Sequence, residues 1–237
     1  MGIRGTVAIS ENTEALKKIA AEAALDYVKD GYVVGLGTGS TVRHLLAALK
    51  QRVQAGLKIT GVPTSEETAE LARKVGIPLL TDDDLWPIDV AIDGADQVDP
   101  RLNLIKGGGG ALLREKIVAA NARQVVIVVD ETKRVPVLGG TFPLPIEVLP
   151  FGWRNTACAI EQLGGKTVRR EGNRHVFRTE SGHYILDLHI ARIDDPAELE
   201  ARLNRIPGVI ECGLFVGQTD ILIVGTSNGV EVHTPQG

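Results

Sequence analysis

The sequence predicts a doubly wound α/β sheet domain with a smaller α+β module attached. Short β-branched strands alternate with amphipathic helices through the first half of the chain, an all-apolar strand QVVIVVDE lies among them, and the order of elements changes after Pro143. Taken in order, Glu14 to Lys29 (EALKKIAAEAALDYVK) carries apolar residues at helical spacing, and Gly31 follows where a helix would stop. Tyr32 to Leu36 (YVVGL) reads as a strand, GTGST as a turn and Val42 to Val53 as a second helix. LKITGVP supplies the next strand. Ser65 is placed to cap the helix SEETAELARKVG, with Glu66 and Glu67 in the first turn, where the helix dipole favours acids. IDVAIDGAD is a further buried strand, the glycine run Gly107 to Gly110 leads into the helix ALLREKIVAANA, and QVVIVVDE has the continuous apolar character of a strand covered on both faces. This alternation specifies a mostly parallel, Rossmann-like sheet.

After Pro143 the segment LPIEVLP reads as a strand, followed by a helix near Trp153 to Leu163. GKTVRR, HVFRT and HYILDLHI then show period-two patterning, and the helix PAELEARLNRI and the strand GVIECGLF complete the series. That is the β-α-β-β-α-β order of a ferredoxin-like module. TDILIVGTSNGVEVHT holds two strands about a Ser-Asn-Gly turn and is expected to rejoin the first domain. The expected boundaries are 1–143 with 214–237 for the Rossmann-like domain and 144–213 for the ferredoxin-like one.

Composition narrows the function. The chain has 237 residues, with 26 Lys and Arg against 30 Asp and Glu and no long run of one sign, so the charge footprint of a nucleic-acid binder is missing. A local cluster of cations could still hold a small anionic substrate. The two cysteines, Cys158 and Cys212, are far apart and in no CxxC arrangement, which argues against a disulfide framework or thiolate metal site and fits a cytoplasmic setting. No segment approaches the roughly 18 apolar residues of a membrane span, and no membrane partner or signal peptide is expected. MGIRGT formally matches the myristoylation pattern and is read as chance.

Three turns carry the chemistry. In GLGTGST, Gly35 and Gly37 match a dinucleotide fingerprint, but Ser40 stands where the third glycine belongs, and Thr64 and Ser65 stand where the second strand should end in an acid. A nicotinamide site loses weight. The turn still offers amides at a helix N-terminus and the hydroxyls of Thr38, Ser40 and Thr41, which suits a phosphate better than the bland reading of a capped tight turn. In AIDGADQVD, Asp93 emerges at the carboxyl edge of a strand, where ligands bind in parallel sheets, and Asp96 and Asp99 follow. Asp-Gly is also an ordinary turn, and a magnesium site at Asp93 and Asp96 lacks an obvious completing set. In IKGGGGALLREK, Lys106 precedes glycines that admit a ligand close to the backbone, and Glu115 lies on the following helix. Alone, Glu115 between Arg114 and Lys116 reads as solvated surface. Together with Lys106, Asp93 and a phosphate turn it becomes a candidate general base. Lys133, in DETKR, sits at a further strand end and fits an anion contact. His44, His175, His183, His189 and His233 show no metal-ligand spacing and read as ordinary polar positions.

GLGTGST, DGAD, KGGGGALLREK and FPLPIEV, with PGVIECGLF and VGTSNGV later, together resemble the ribose-5-phosphate isomerase A family, in order and over nearly the whole chain. The resemblance implies an aldose-ketose isomerase of the pentose phosphate pathway, interconverting D-ribose 5-phosphate and D-ribulose 5-phosphate through a cis-enediolate. It implies no metal and no organic cofactor, and a homodimer or homotetramer. The family's glutamate base falls on Glu115, with Asp93 and Lys106 as its catalytic companions. Its sugar-phosphate contacts fall on Thr38, Gly39, Ser40 and Thr41, on Asp93, Gly94, Ala95 and Asp96, on Lys106, Gly107, Gly108 and Gly109, and on Lys133 and Lys17. Two positions depart from the pattern. Gln97 stands where an acid commonly ends DGADE, and Gly110 replaces a common alanine and is expected to add flexibility at the helix entrance. The rival readings are a sugar-phosphate sensor that binds without turnover, which would normally carry a DNA-binding helix-turn-helix, and a nicotinamide dehydrogenase.

Overall fold

The computed structural model describes residues 3–172 and 175–235. The Met1–Gly2 start of the acylation pattern lies outside them. Chain contacts define two compact units, one of Met1–Gly94, Ile117–Lys133 and Thr219–Gly237, the other of Ala95–Lys116 and Arg134–Gln218.

The first unit is built on a six-stranded sheet in the order Gly229–His233, Ile221–Thr226, Val125–Asp130, Val90–Asp93, Val33–Leu36, Thr60–Pro63. All neighbours run parallel except the Gly229–His233 hairpin partner. The chain leaves Val33–Leu36 to form Thr60–Pro63 on one side and returns to form Val90–Asp93 on the other. The order therefore reverses around Val33–Leu36, the kind of switch point at which α/β sheets bind ligands. The helices Ile3–Ala23, Ser40–Gln54 and Glu66–Val75 belong to this unit, and Val34, Leu36, Leu45, Leu49, Ile92 and Val128 form its core. Ser65 caps the third helix as expected, accepting from Thr68 N, and Gly76 ends it at φ +90°. The first helix departs from expectation: it begins at Ile3, and its last turns tighten into a 3₁₀ segment at Ala24–Tyr27. Arg52 Nη1 reaches across to the Leu25 carbonyl there at 2.9 Å.

The second unit holds a four-stranded antiparallel sheet ordered Val209–Cys212, Leu144–Val148, Tyr184–His189, Lys166–Arg169, with helices Trp153–Glu161 and Pro196–Leu203. In chain order these strands read fourth, first, third, second, the ferredoxin-like arrangement the sequence predicts. Ile146, Val148, Ile160, Leu186, Leu188 and Leu203 fill its core. Asp195 caps the second helix by accepting from Glu198 N, and Pro196 sits in its first turn. GVIECGLF is two strands, not one. Val209–Cys212 joins the four-stranded sheet, while Leu214–Phe215 pairs with Leu104–Ile105, itself hairpinned to Gln97–Val98. Gly213 makes the break, since a Cβ there would lie 2.2 Å from the Lys106 carbonyl oxygen. This small sheet groups residues 95–116 with the second unit, and residues 134–143 follow through the bridge between Leu138 and Ile193. The sequence-based boundaries assign both segments to the larger domain, whereas chain contacts group them with the second unit.

Candidate active site

In the first unit the glycine turn and the Asp93 strand end meet. Gly37 N donates to the Ile92 carbonyl at 3.0 Å, and a Cβ on Gly37 would lie 2.0 Å from Asp93 Oδ1, so only glycine lets the carboxylate lie over this turn. Asp93 Oδ1 accepts from Thr38 N at 3.1 Å and from Gly94 N at 2.7 Å, which fixes the carboxylate's orientation. The Thr38 hydroxyl is engaged elsewhere. It lies 2.7 Å from Thr64 Oγ1 and donates to Ser65 Oγ at 2.9 Å, while Thr68 Oγ1 donates to the Gly37 carbonyl at 2.8 Å. Thr38 thus ties the turn to the end of the neighbouring strand. Gly39 takes φ +104° and caps the helix that starts at Ser40, and Gly39, Ser40 and Thr41 are partly exposed there. Unpaired amides at a helix N-terminus favour anions in general.

Lys17 reaches this helix through a relay. Its ammonium lies 2.6 Å from Glu14 Oε1, and Glu14 Oε2 lies 2.9 Å from His44 Nε2, one turn beyond Ser40. Hydrogen bonds from Lys17 and then His44 hold the Glu14 carboxyl below its ordinary range. Lys133 closes a short 3₁₀ turn after the strand Val125–Asp130. Asp130 is buried and accepts from Thr132 N at 3.0 Å, which sets that turn.

In the second unit the glycine run and the helix Leu112–Ala120 bring Lys106 and Glu115 together. Lys106 Nζ lies 3.3 Å from Glu115 Oε2, with the side chains 4% and 6% exposed. The solvated reading of Glu115 is thereby overturned. Lys116, which favoured that reading, is itself buried and bonds Glu200 at 2.7 Å and Glu211 at 2.8 Å. Burial works against its charge, but Cys212 and the two carboxylates hold it above the ordinary range. Glu200, Glu211 and Cys212 are also the group of potential metal donors found together among the described residues, and this ammonium already occupies it. Both ammonium groups lie over the Phe215 ring, Lys106 Nζ at 5.4 Å and Lys116 Nζ at 4.9 Å from its centroid.

The glycine run is a built turn. Gly107 takes φ +104° and accepts from Gly110 N at 3.0 Å, and Gly108 N donates to Asp96 Oδ2 at 2.8 Å. Of the amides expected to face a sugar, that of Gly108 is therefore committed to Asp96. Arg170, absent from the sequence-based site, donates through Nη1 to the carbonyls of Gly107 and Gly108 and is paired with Asp187. Two opposite charges 17 residues apart, one just after a short strand and one within the next long one, were the available signal.

A family model described as ribose 5-phosphate isomerase A (phosphoriboisomerase A) matches residues 60–229. The chain belongs to this family. The ribose-5-phosphate isomerase A of Gloeobacter violaceus is 52% identical over 223 residues, covering 94% of this chain and 97% of its own. That of Nitrobacter hamburgensis is 50% identical over 226 residues, 92% of this chain and 97% of its own. Among solved structures, ribose 5-phosphate isomerase A from Methanocaldococcus jannaschii superimposes with a TM-score of 0.89 at 44% identity, covering 93% of this chain and 99% of that one. A D-ribose-5-phosphate isomerase in complex with phospho-erythronic acid gives a TM-score of 0.91 at 44% identity, covering 94% and 99%.

The two departures from the family pattern have physical reasons. Gly110 sits at φ +85°, and a Cβ there would lie 2.4 Å from Phe177 Cζ, so the glycine makes room for the phenyl ring instead of loosening the helix entrance. Gln97, 2% exposed, pairs with the backbone of Gly139 in both directions, Nε2 to the carbonyl at 3.0 Å and Oε1 from the amide at 2.8 Å. Its Nε2 also reaches Thr141 Oγ1 at 3.0 Å. A carboxylate could not donate either of these bonds. Among the described residues, no helix is long and apolar enough to cross a membrane.

Proposed function

We propose that this chain interconverts D-ribose 5-phosphate and D-ribulose 5-phosphate, with Glu115 as the base that moves the proton. The observation that carries the reading is a carboxylate and an ammonium, both more than nine-tenths buried, held 3.3 Å apart beside a glycine turn, in a chain of this family. Glu115 takes the proton from C2 of the open-chain aldose, and the electron pair moves to the C1 carbonyl oxygen to give a cis-enediolate. The same carboxylic acid returns the proton to C1, and the O2 hydroxyl proton passes to O1, which completes the ketose with atoms and charge balanced. A positioned base contributes about 10²- to 10⁴-fold. Lys106 and the amides of Gly107 and Gly109 stabilise the oxyanion, a task in which one donor is worth about 3 kcal/mol.

Asp93 serves the hydroxyl protons, including ring opening, and Asp96 orients the sugar chain together with Gly94 and Ala95. The phosphate is held by Gly39, Ser40 and Thr41, with Lys133 and Lys17, while Thr38 braces the turn through Asp93, Thr64 and Ser65, so that binding energy remote from the reacting carbons orients them. Positive charge at the reacting atoms comes from Lys106, and the reaction is assigned to the chain alone, without metal or organic cofactor. The reading extends to a cytoplasmic homodimer or homotetramer. The free thiols of Cys158 and Cys212 and the exposed apolar side chains of Leu149 and Phe151 support that part.

The test is ketose formation from ribose 5-phosphate by the full chain, before and after exhaustive EDTA treatment. Turnover is expected in both. No ketose would refute the activity, and a loss restored by magnesium would refute the metal-free assignment.

A further inference from the structure

The glycine turn does not hold its shape by its own backbone alone. Its carbonyls are gripped by one side chain from the ferredoxin-like sheet. Arg170 follows the strand Lys166–Arg169 and continues its pairing, donating its amide to the Ile185 carbonyl at 2.8 Å. On the neighbouring strand Tyr184–His189, Asp187 shares a face with Ile185, opposite to Tyr184, Leu186 and Leu188. Arg170 Nε donates to Asp187 Oδ2 at 2.9 Å and Nη2 to Oδ1, the bidentate arrangement, with both side chains 15% exposed. Phe177 lies beneath the guanidinium, 5.7 Å from its ring centroid, in the space that Gly110 leaves. With Nε and Nη2 committed to Asp187, Nη1 is held in plane and reaches Gly107 O at 2.8 Å and Gly108 O at 3.1 Å.

A trans peptide is planar, with its C=O and N–H pointing in opposite directions. Holding the Gly107 carbonyl therefore sets the Gly108 amide, which meets Asp96 Oδ2 at 2.8 Å. Holding the Gly108 carbonyl sets the Gly109 amide, which must point away from Arg170. We propose that Arg170, locked by Asp187, is the positioning residue that aims the Gly109 amide at the developing oxyanion. This assignment rests on the isomerase reading of the same turn. Arg170 does not touch substrate in this account. Its effect on rate runs through the orientation of one peptide, and a lysine, with a single ammonium and no fork, cannot hold both Asp187 and two carbonyls.

The experiment compares wild type, Arg170→Met, Arg170→Lys and the double variant Arg170→Met/Asp187→Leu, which removes the stranded carboxylate in case the single change impairs folding. Steady-state isomerisation of ribose 5-phosphate is measured per folded molecule, with folding checked by circular dichroism. Misaiming a preorganised donor costs about 10- to 100-fold in rate. The expected result is a fall in kcat of that size for Arg170→Met and for the double variant, KM within about threefold of wild type, and Arg170→Lys in between. A folded variant with wild-type kcat would overturn the proposal, as would a loss that appears wholly in KM. A wild-type chain that forms no ketose would instead remove the isomerase reading beneath it.

Discussion

Removing Lys106 should destabilise the chain far more than removing an ordinary lysine, and most of that cost should vanish when Glu115 is neutralised as well. The two groups are 3.3 Å apart. At an effective dielectric of about 20 that separation corresponds to about 5 kcal/mol of attraction, a ceiling from which desolvation of both ions is subtracted. Breaking a buried pair by removing one partner typically costs about 3 to 5 kcal/mol, because the remaining ion loses the attraction that offset its desolvation. Lys106→Met is therefore expected to lose about 3 kcal/mol or more. Glu115→Gln is expected to lose less, since an amide keeps the shape and the ammonium can still donate to it. Lys106→Met/Glu115→Gln should be more stable than the sum of the single losses by about 2 to 3 kcal/mol, a coupling at the upper end of those measured for residues in contact. Urea unfolding of the four proteins, compared at equal slope, reads the cycle. Losses that add to within about 0.5 kcal/mol would show that the two groups do not interact as a buried pair, and the electrostatic part of the mechanism would fall with them.

Gln97→Glu should lower stability by about 2 to 4 kcal/mol, since a carboxylate leaves the Gly139 carbonyl and Thr141 without their donor and buries a charge beside them. A thermal midpoint within a degree of wild type would show the amide to be dispensable. Burial pushes the Cys212 thiol from 9.0 up to about 12. The folded form therefore keeps a proton that the unfolded chain gives up above pH 9, and this contribution is complete below that pH and lost as the pH rises toward 12. Iodoacetamide at pH 8 should modify exposed Cys158 and spare Cys212 until the chain is denatured. Equal labelling of both in the native protein would contradict this.

The strand, turn and helix alternation, the Ser65 cap and the four-strand order of the ferredoxin-like module were legible in the sequence, because each is set by local periodicity and turn chemistry. GVIECGLF was not, since its division depends on the Lys106 carbonyl lying against Gly213, which no local pattern encodes. Glu115 was legible as a candidate only in company. Its burial depends on the fold, and the neighbour that argued for solvent, Lys116, finds its acids 84 and 95 residues further along the chain. The flexibility expected at Gly110 gave way to a steric reason because Phe177 lies 67 positions away in a strand region that the sequence marks only as alternating. The role of Arg170 is hidden in the sequence for a related cause. A charged residue at the end of a short strand usually faces solvent, and only its pairing with Asp187 turns it toward the glycine carbonyls.

Proton transfer by Glu115 is tested by isomerisation of ribose 5-phosphate in D₂O, followed by NMR at C1 of the ketose, with wild type and Glu115→Gln in parallel. Transfer by one carboxylate on one face of an enediolate predicts deuterium at a single one of the two C1 positions with wild type, and the loss of most turnover and label in Glu115→Gln while ribose 5-phosphate still binds. Wild-type turnover from the Glu115→Gln variant, or label divided equally between both C1 positions, would contradict it.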